Sequence, residues 1–315
     1  MPGALSSLAR AGVLGMNRRN ADFIMRYNSR SDFPLVDDKV LTKALAEKYQ
    51  VPTPTTYRVV ERNSDIAGLE KELSGIHDFV LKPARGAGGS GILLVTDRKP
   101  EGLVKPSGKV ISWEDFTFHI SNILSGIYSL GGMPDRAIIE SLLHPGPVFA
   151  AISYLGVPDI RIVVYRGVPV MAMVRLPTKA SDGKANLHLG GIGAGIDIGT
   201  GQTLNAVLHS RTITHHPETG NPVKGIEVPY WDRMLLTGAQ AEDMTGLGYL
   251  GVDLVIDRDH GPLLLELNAR PGLAIQLANH SGLFARLQLV DKAPPEIFAK
   301  PETRVGWATQ TFTVS

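Results

Sequence analysis

The segment "GPLLLELNARPG", residues 261–272, constrains the fold of this 315-residue chain more strongly than any other. Its leucines are typical of a buried strand, but Glu266, Asn268 and Arg270 stand at every second position. Burying such groups without partners costs several kcal/mol each, so the strand must place them beside something that binds them. The segment therefore predicts a sheet with a polar, ligand-binding stripe on one face.

The preceding segment, "GVDLVID" followed by "RDHG", predicts that this strand closes a β-hairpin. If the turn sets Asp257 opposite Pro262, Asp253 lies opposite Glu266, and opposed side chains are about 5 Å apart. Asn268 shares their face, because alternate residues of a strand point the same way. Two carboxylates this close repel unless a cation lies between them, and an all-oxygen ligand set suits Mg²⁺. A solvent-facing polar stripe is the alternative, although the neighbouring leucines indicate that one face is covered.

A second feature, "KPARGAGGSG", places Lys82 at the end of a strand and a glycine-rich loop directly after it. Glycine lets backbone N–H groups turn toward an anion and approach it closely, and lysine adds a mobile positive charge. No lysine follows the glycines, and the next segment is a strand, so this is neither a Walker loop nor a dinucleotide fingerprint. The segment predicts a phosphate-binding hairpin loop, with a flexible hairpin as the alternative.

A third feature is the strand "DIRIVVYRG", in which Asp159 and Arg161 share one face. The returning strand, "MAMVR", carries Arg175. A three-residue turn at Gly167–Pro169 would set Arg161 opposite Arg175, and two facing arginines repel unless an anion lies between them. The pair therefore predicts an anion site. Farther on, "ANLHLGGIG" contains a histidine that we interpret as structural.

Composition excludes several classes of protein. With 43% hydrophobic residues, 20% charged residues and a net charge of +1, the chain is globular and lacks the basic face of a nucleic-acid-binding protein. It has no cysteine, so disulfides and cysteine-ligated metals are excluded. Its longest apolar stretch contains arginine, glycine and proline, and no secretory signal is recognisable at its start. We therefore expect a cytoplasmic protein that neither spans a membrane nor binds nucleic acid.

Helical and strand patterns alternate irregularly and include several hairpins, which predicts an α+β fold with antiparallel sheets. No internal repeat is visible. We expect helices at 37–50, 64–74, 113–125 and 232–246, and strands at 56–60, 78–82, 91–95, 159–165 and 169–175. A glycine-rich stretch spans 180–201, a loop is expected at 192–204, and the last residues are expected to form a loose tail.

In this order, the motifs resemble the ATP-grasp superfamily and, within it, the RimK-like or α-L-glutamate ligase-like proteins. The resemblance covers residues 37–272. Its carriers are "DDKVLTKALAEKYQVPTP", "FVLKPARGAGGSGI", "DIRIVV", "ANLHLGG" and "LELNARPG". The earlier stretch "MNRRNADFIMRYNSRSDFPLVDDK" also resembles a sugar-transfer-associated ATP-grasp group.

The resemblance implies an ATP-grasp fold, in which two α+β subdomains grip ATP, and a truncated N-terminal region. The implied divisions are a helical, basic arm at 1–36, a central lid subdomain at 37–140, a C-terminal subdomain with the metal site at 141–285, and a tail at 286–315. The implied activity is ATP-dependent ligation of a carboxylate to an amine through an acyl phosphate. The implied cofactors are ATP and Mg²⁺, with two ions expected and Mn²⁺ as a substitute.

The resemblance also assigns roles to residues. ATP phosphates would be held by Lys39, Lys82 and a lid loop of Gly86, Gly88, Gly89, Ser90 and Gly91. Adenine would be read by Glu140 and the backbone of Ser141, Leu142 and Leu143. The metal ions would be held by Asp253, Glu266 and Asn268. The γ-phosphate and acyl phosphate would face Arg161 and Arg175, and the acid would be oriented by Asn186 and Arg270.

Three departures leave the substrates open. Only 36 residues precede the Lys39 helix, where ligases of this superfamily usually carry a Rossmann-like domain. The connector "HPGPVFAAISYLGVP" is longer than in glutamate ligases and leaves the ribose-binding acid unassigned, and loop 192–204 is unfamiliar. Glutamate addition to an acceptor is thus one form of the expected activity. The alternatives are an enzyme that makes a thioester or a phosphorylated small molecule, and a non-catalytic ATP-binding partner. The expected partners are a small carboxylate and an amine, and a homo-oligomer is left open.

Overall fold

The structure is a computed structural model that describes residues 11–86 and 88–313. The chain divides into two compact units. The large unit contains residues 11–36, 44–52 and 144–313, and the small unit contains residues 37–43 and 53–143 apart from residue 87. Both units combine helices with antiparallel sheets, which confirms the predicted α+β class.

The strands are β1 (Thr56–Val60), β2 (Phe79–Pro83), β3 (Leu93–Val95), β4 (Asp97–Lys99), β5 (Gly102–Val104), β6 (Val110–Ile111), β7 (Ala137–Glu140), β8 (Asp159–Tyr165), β9 (Val168–Leu176), β10 (Ile192–Ile196), β11 (Thr203–Leu208), β12 (Arg211–Ile213), β13 (Tyr249–Asp257) and β14 (Gly261–Asn268). The α-helices are α1 (Met16–Arg18), α2 (Met25–Tyr27), α3 (Pro34–Asp37), α4 (Lys39–Lys48), α5 (Leu69–Glu72), α6 (Trp113–Leu124), α7 (Pro147–Ala150), α8 (Trp231–Thr245), α9 (Ile275–Ala278), α10 (Leu283–Asp291) and α11 (Pro301–Phe312). A π-helical turn, Arg19–Ile24, joins α1 to α2. Within the described residues, no helix combines the length and the apolar composition needed to cross a bilayer.

In the small unit, a four-stranded sheet in the order β1-β7-β2-β3 packs against α6. The helix begins at Trp113 because the Ser112 hydroxyl accepts a hydrogen bond of 3.0 Å from the Asp115 N–H. The helix predicted at 64–74 is wrong in extent. Gly68 has a φ of +84° and separates a short 3₁₀ turn, Asn63–Ile66, from α5.

The large unit is built on a seven-stranded antiparallel sheet in the order β12-β11-β10-β9-β8-β13-β14. Strand β10, the third in this order, falls within the loop expected at 192–204, so that prediction is wrong there. Its sequence, "IGAGI", has glycine at two of five positions, and α9 lies close to Gly195. A Cβ atom at Gly195 would lie 2.8 Å from the carbonyl oxygen of Ala278.

The N-terminal segment is part of the large unit and packs into its core, so the arm expected at 1–36 is not a separate region over residues 11–36. The ring of Phe23 is buried and lies 5.3 Å from that of Tyr165, edge to face. The Asn28 side chain accepts from the Tyr249 N–H and donates to the carbonyl oxygens of Tyr249 and Ala269. Residues 1–10 of the predicted arm lie outside the described residues.

The expected loose tail is also wrong for residues 286–313, which include the end of α10 and all of α11. The buried face of α11 consists of Arg304, Ala308 and Phe312. Because an arginine occupies the first of these positions, the sequence lacks the apolar residue at every third or fourth position that predicts an amphipathic helix. Arg304 is 3% exposed and pairs with Glu242 and Asp243 of α8.

We expect Gly195→Ala to lower the free energy of unfolding by about 1–3 kcal/mol, because the added methyl group must displace α9. Gly306→Ala is the matched control, because no atom lies within 4 Å of a Cβ at that helical position. The control should be neutral or more stable by up to about 1 kcal/mol. Urea denaturation of both variants measures the difference, and equal stabilities would contradict close packing over β10.

Candidate active site

Three side chains stand in one row across neighbouring strands of the large sheet. Arg161 of β8 is paired with Asp253 of β13, and Asp253 is paired with Glu266 of β14. Paired residues point to the same face, so the row gathers a guanidinium and two carboxylates. The predicted opposition of Asp253 and Glu266 is confirmed.

The turn of this hairpin differs from the prediction. Asp257 lies opposite Gly261, and Pro262 lies opposite Ile256. A bulge between Asp253 and Leu254 then shifts the register by one residue, so that Leu265 has no partner and Asp253 still faces Glu266. The tighter turn and the bulge therefore compensate each other.

The two arginines of the site bind carboxylates. Arg161 donates two hydrogen bonds to Asp253, at 2.7 and 2.5 Å. Arg175 bridges two acids, since it forms a bidentate pair with Asp159 and also donates to Asp253 at 2.8 Å. The result is a buried network in the order Asp159, Arg175, Asp253, Arg161.

The predicted opposition of Arg161 and Arg175 is wrong. The turn has two residues, Arg166 and Gly167, with φ of +50° and +69°, the left-handed values of a tight hairpin. A bulge between Val163 and Val164 then sets Arg175 opposite Asp159, while Arg161 faces Met173. Each arginine therefore has a protein carboxylate as partner, and no bound anion is needed to relieve repulsion between them.

Burial raises the pKa values of both aspartates, and the neighbouring arginines lower them. Burial raises the pKa of Asp159 to about 7, against the opposing effect of Arg175. Burial also acts to raise the pKa of Asp253, but the guanidinium groups of Arg161 and Arg175 outweigh it and hold this pKa well below its usual range. Negative charge is therefore most stable on Asp253, at the centre of the network.

Asn268 lies beside both acids, with its amide nitrogen 3.3 Å from Asp253 Oδ2 and 3.4 Å from Glu266 Oε1. Turning the carboxamide by half a rotation presents its oxygen at the same place. Asp253, Glu266 and Asn268 then offer two carboxylates and one amide oxygen, which suits a hard divalent cation. No group of three or more His, Cys, Asp or Glu side chains within residues 11–86 and 88–313 could hold a metal ion. Any ion here would use two carboxylates and the amide.

In the small unit, the structure brings Lys39 to the glycine-rich loop. Its ammonium donates to the carbonyl oxygen of Gly86 at 2.9 Å. Gly88, Gly89 and Gly91 have positive φ values of 63°, 77° and 75°, which L side chains rarely adopt. Ser90 lies in the same turn. The loop can therefore direct its backbone amides in ways that other residues could not.

Lys82 is buried and pairs with Glu140, as does a second lysine, Lys43. We did not assign Lys43 from the sequence. The available signal was its spacing, because residues four apart on a helix share a face and Lys43 stands one turn after Lys39. At the start of the connector that follows β7, the Ser141 N–H donates to the Thr55 carbonyl oxygen, and Leu142 and Leu143 are half-buried.

The remaining predicted residues have local roles in this structure. The Asn186 side chain accepts from the His188 N–H and so caps the 3₁₀ turn Leu187–Leu189. Arg270 is exposed, and its guanidinium lies 5.1 Å from the centre of the Phe33 ring. The packing of Phe33 beside Arg270 could not be found from the sequence, because the two residues are far apart in the chain.

We expect Arg175→Met to lower the free energy of unfolding by about 3 kcal/mol at pH 8, because Asp159 loses its partner while buried. The pKa of Asp159 is already raised, so the folded state binds this proton more readily than the unfolded state does, and the loss should shrink as the pH falls to 5. The control Arg258→Met breaks an exposed, solvent-screened pair with Asp259 and should leave the free energy of unfolding nearly unchanged at both pH values. Denaturation at the two pH values measures this, and a loss that grows toward pH 5 would contradict the assignment.

Comparison with solved structures finds ligases of low sequence identity. A structure titled as the ATP-grasp ligase PsnB complexed with minimal precursor is 15% identical, with a TM-score of 0.45 over 84% of this chain and 62% of that one. The D-cycloserine synthetase DcsG is 15% identical, with a TM-score of 0.45 over 82% of this chain and 71% of that one. The D-alanyl-alanine synthetase A of Vibrio cholerae O1 is 11% identical, with a TM-score of 0.48 over 89% and 66%. The chain thus spans less than two thirds of the length of the PsnB and Vibrio cholerae proteins.

A search of curated proteins finds no significant match. A sequence profile for the family described as "Sugar-transfer associated ATP-grasp" matches residues 18–292, which is most of the chain. The matched range includes the N-terminal segment whose resemblance to that group was noted from its sequence, whereas the narrower RimK-like resemblance has no such support. This chain has the ATP-grasp fold and belongs to the sugar-transfer associated ATP-grasp family.

Proposed function

We propose that this protein is an ATP-dependent ligase that joins a carboxylate to an amine through an acyl phosphate. The observation that carries the proposal is the row of Asp253 and Glu266 with Asn268 beside it, bounded by Arg161 and Arg175. This is an oxygen-ligand cluster next to two guanidinium groups, on one face of a sheet in an ATP-grasp protein.

In the proposed reaction, a carboxylate oxygen attacks the γ-phosphorus of ATP and ADP leaves, which gives an acyl phosphate. An amine then attacks the acyl carbon, loses a proton, and phosphate leaves. A divalent cation held by Asp253, Glu266 and Asn268 would supply charge neutralisation for the transferred phosphoryl group. Two ions, with Mn²⁺ as a substitute, remain part of the proposal.

The side chains of the chain would act mainly by positioning and electrostatics. Arg161 and Arg175 already carry hydrogen-bond donors at the cation site and would bind oxygens of the transferred phosphoryl group. Lys39, Lys82 and the loop 86–91 would bind the phosphates of ATP, and the backbone of Ser141, Leu142 and Leu143 would bind adenine. Asn186 and Arg270 would orient the acid.

The substrate classes follow from this chemistry. We propose a small carboxylate and an amine of an amino acid or a peptide, with glutamate as one candidate. The divisions at 37–140 and 141–285 are proposed as the nucleotide-binding halves, and a cytoplasmic location suits the supply of ATP.

The experiment is ADP release from Mg-ATP with a panel of carboxylates, in the presence of hydroxylamine. Hydroxylamine converts an acyl phosphate to a hydroxamate, which a colorimetric assay detects. We expect ADP and hydroxamate in equal amounts with the correct acid, and an amide by mass spectrometry when the natural amine replaces hydroxylamine. ADP without hydroxamate would instead favour phosphorylation of a small molecule other than a carboxylate.

Glu266→Gln should lower the rate of ADP release at least about 100-fold at fixed Mg²⁺, because it removes a charge from the cation site. Glu296→Gln, at an exposed position, is the matched control and should retain the wild-type rate. Unchanged activity of Glu266→Gln would refute the metal assignment. The same assay with EDTA added should show complete loss of ADP release.

A further inference from the structure

The small unit contains a buried group of two lysines and one glutamate, here called the Lys43–Glu140–Lys82 triad. Glu140 is 1% exposed, and each of its carboxylate oxygens faces a different ammonium group. The Nζ atom of Lys43 lies 2.6 Å from Oε2, and that of Lys82 binds Oε1. The carboxylate therefore lies between two ammonium groups of the protein.

Strand pairing explains why these side chains meet. Glu140 of β7 is paired with Thr56 of β1 on one side and with Val80 of β2 on the other, so all three point to one face. Lys82 stands two residues beyond Val80 on the same strand and shares that face. Lys43 of α4 reaches the same face, because its ammonium donates to the Thr56 hydroxyl at 2.9 Å.

The two lysines differ in how many donors they have used. The ammonium of Lys43 meets three acceptors, which are Glu140, the Thr56 hydroxyl and the Pro54 carbonyl oxygen at 2.6 Å. Two of its three N–H donors are used by the Thr56 hydroxyl and the Pro54 carbonyl oxygen, and its positive charge is paired with Glu140. In the part of the chain that the structure describes, Glu140 is the single polar partner of Lys82, which leaves two donors on Lys82.

The charge balance of the triad also indicates that Lys43 neutralises Glu140 while Lys82 keeps its charge for a ligand. Burial alone would raise the pKa of Glu140, but the two ammonium groups outweigh it and hold this pKa below its ordinary value. Glu140 therefore stays a carboxylate and the triad keeps one net positive charge. Without Lys43, Glu140 would neutralise Lys82 completely, and the charge available to a phosphate would disappear.

We infer that Lys43 and Glu140 are positioning residues that hold the Lys82 ammonium ready for a triphosphate, and that Glu140 does not read adenine. The inference rests on the proposed ATP-binding function of the small unit. It replaces the role that family resemblance gives to the Glu140 side chain and assigns a role to Lys43. Adenine recognition is left to the backbone after β7.

The test compares ligands that share phosphates but differ in the base. Isothermal titration calorimetry measures binding of Mg-ATP, Mg-GTP and Mg-tripolyphosphate to the full-length protein and to Lys43→Met. We expect Lys43→Met to weaken ATP and tripolyphosphate by the same factor, about tenfold, because the loss lies in the phosphate contacts. Lys48→Met, an exposed lysine on the same helix, is the matched control and should bind both as the wild type does.

Glu140→Gln tests the second half of the inference. The ratio of ATP to GTP affinity should stay at the wild-type value, since the carboxylate faces lysines and not a base. A fall in this ratio, with tripolyphosphate binding unchanged, would show that Glu140 reads adenine and would overturn the inference. Wild-type affinity of Lys43→Met for tripolyphosphate would overturn it equally.

Thr56→Val is a milder variant, which removes one acceptor of Lys43 and keeps the triad's charges. It should weaken ATP and tripolyphosphate about two- to threefold, and it carries the test if Lys43→Met does not fold. Equal affinity of Thr56→Val and wild type for tripolyphosphate would then overturn the inference. If the wild type binds neither ATP nor tripolyphosphate, the proposed function itself fails, which is a different result from variants that bind like the wild type.

Discussion

The ion pairs of Asp253 with Arg161 and Arg175 are the interaction on which the site depends. Asp253 is fully buried, and an unpaired carboxylate there would be strongly destabilising. The two guanidinium groups stabilise its charge and at the same time fix the spacing of β9, β8 and β13. A strongly charged cluster can therefore sit in the middle of an otherwise apolar sheet.

The closing hairpin could be predicted from the sequence because its signal is local. Alternation of polar and apolar residues placed Glu266 and Asn268 on one face, and "RDHG" located the turn. The turn was predicted one residue too long, but a bulge corrects the register, so Asp253 still lies opposite Glu266. The predicted opposition of Arg161 and Arg175 was wrong because it depended on features that have no local signal in the sequence. A two-residue turn and a bulge near Val164 changed which residues oppose each other, and neither is visible in the pattern of Val and Met.

Elements that depend on tertiary packing could not be predicted. Strand β10 reads as a loop because its glycines are there for the close approach of α9, which lies about eighty residues later in the chain. Helix α11 was predicted as a tail because Arg304 occupies a position where a buried helix face normally has an apolar residue. The burial of Arg304 is stabilised by its ion pairs with Glu242 and Asp243, which are distant in the chain. Lys43 was missed because a lysine on a helix is usually exposed, and its partners come from strands β1 and β7.

Asn28 links the N-terminal segment to the hairpin formed by β13 and β14. Its one side chain hydrogen-bonds to the first residue of β13 and to the residue just after β14, so it ties together the ends of the strands that carry Asp253 and Glu266. Cleavage between Asn28 and the rest of the protein would leave these backbone groups without that partner and would uncover the aromatic rings beneath Phe23. A protease acting at this segment would thus loosen the hairpin without removing Asp253, Glu266 or Asn268.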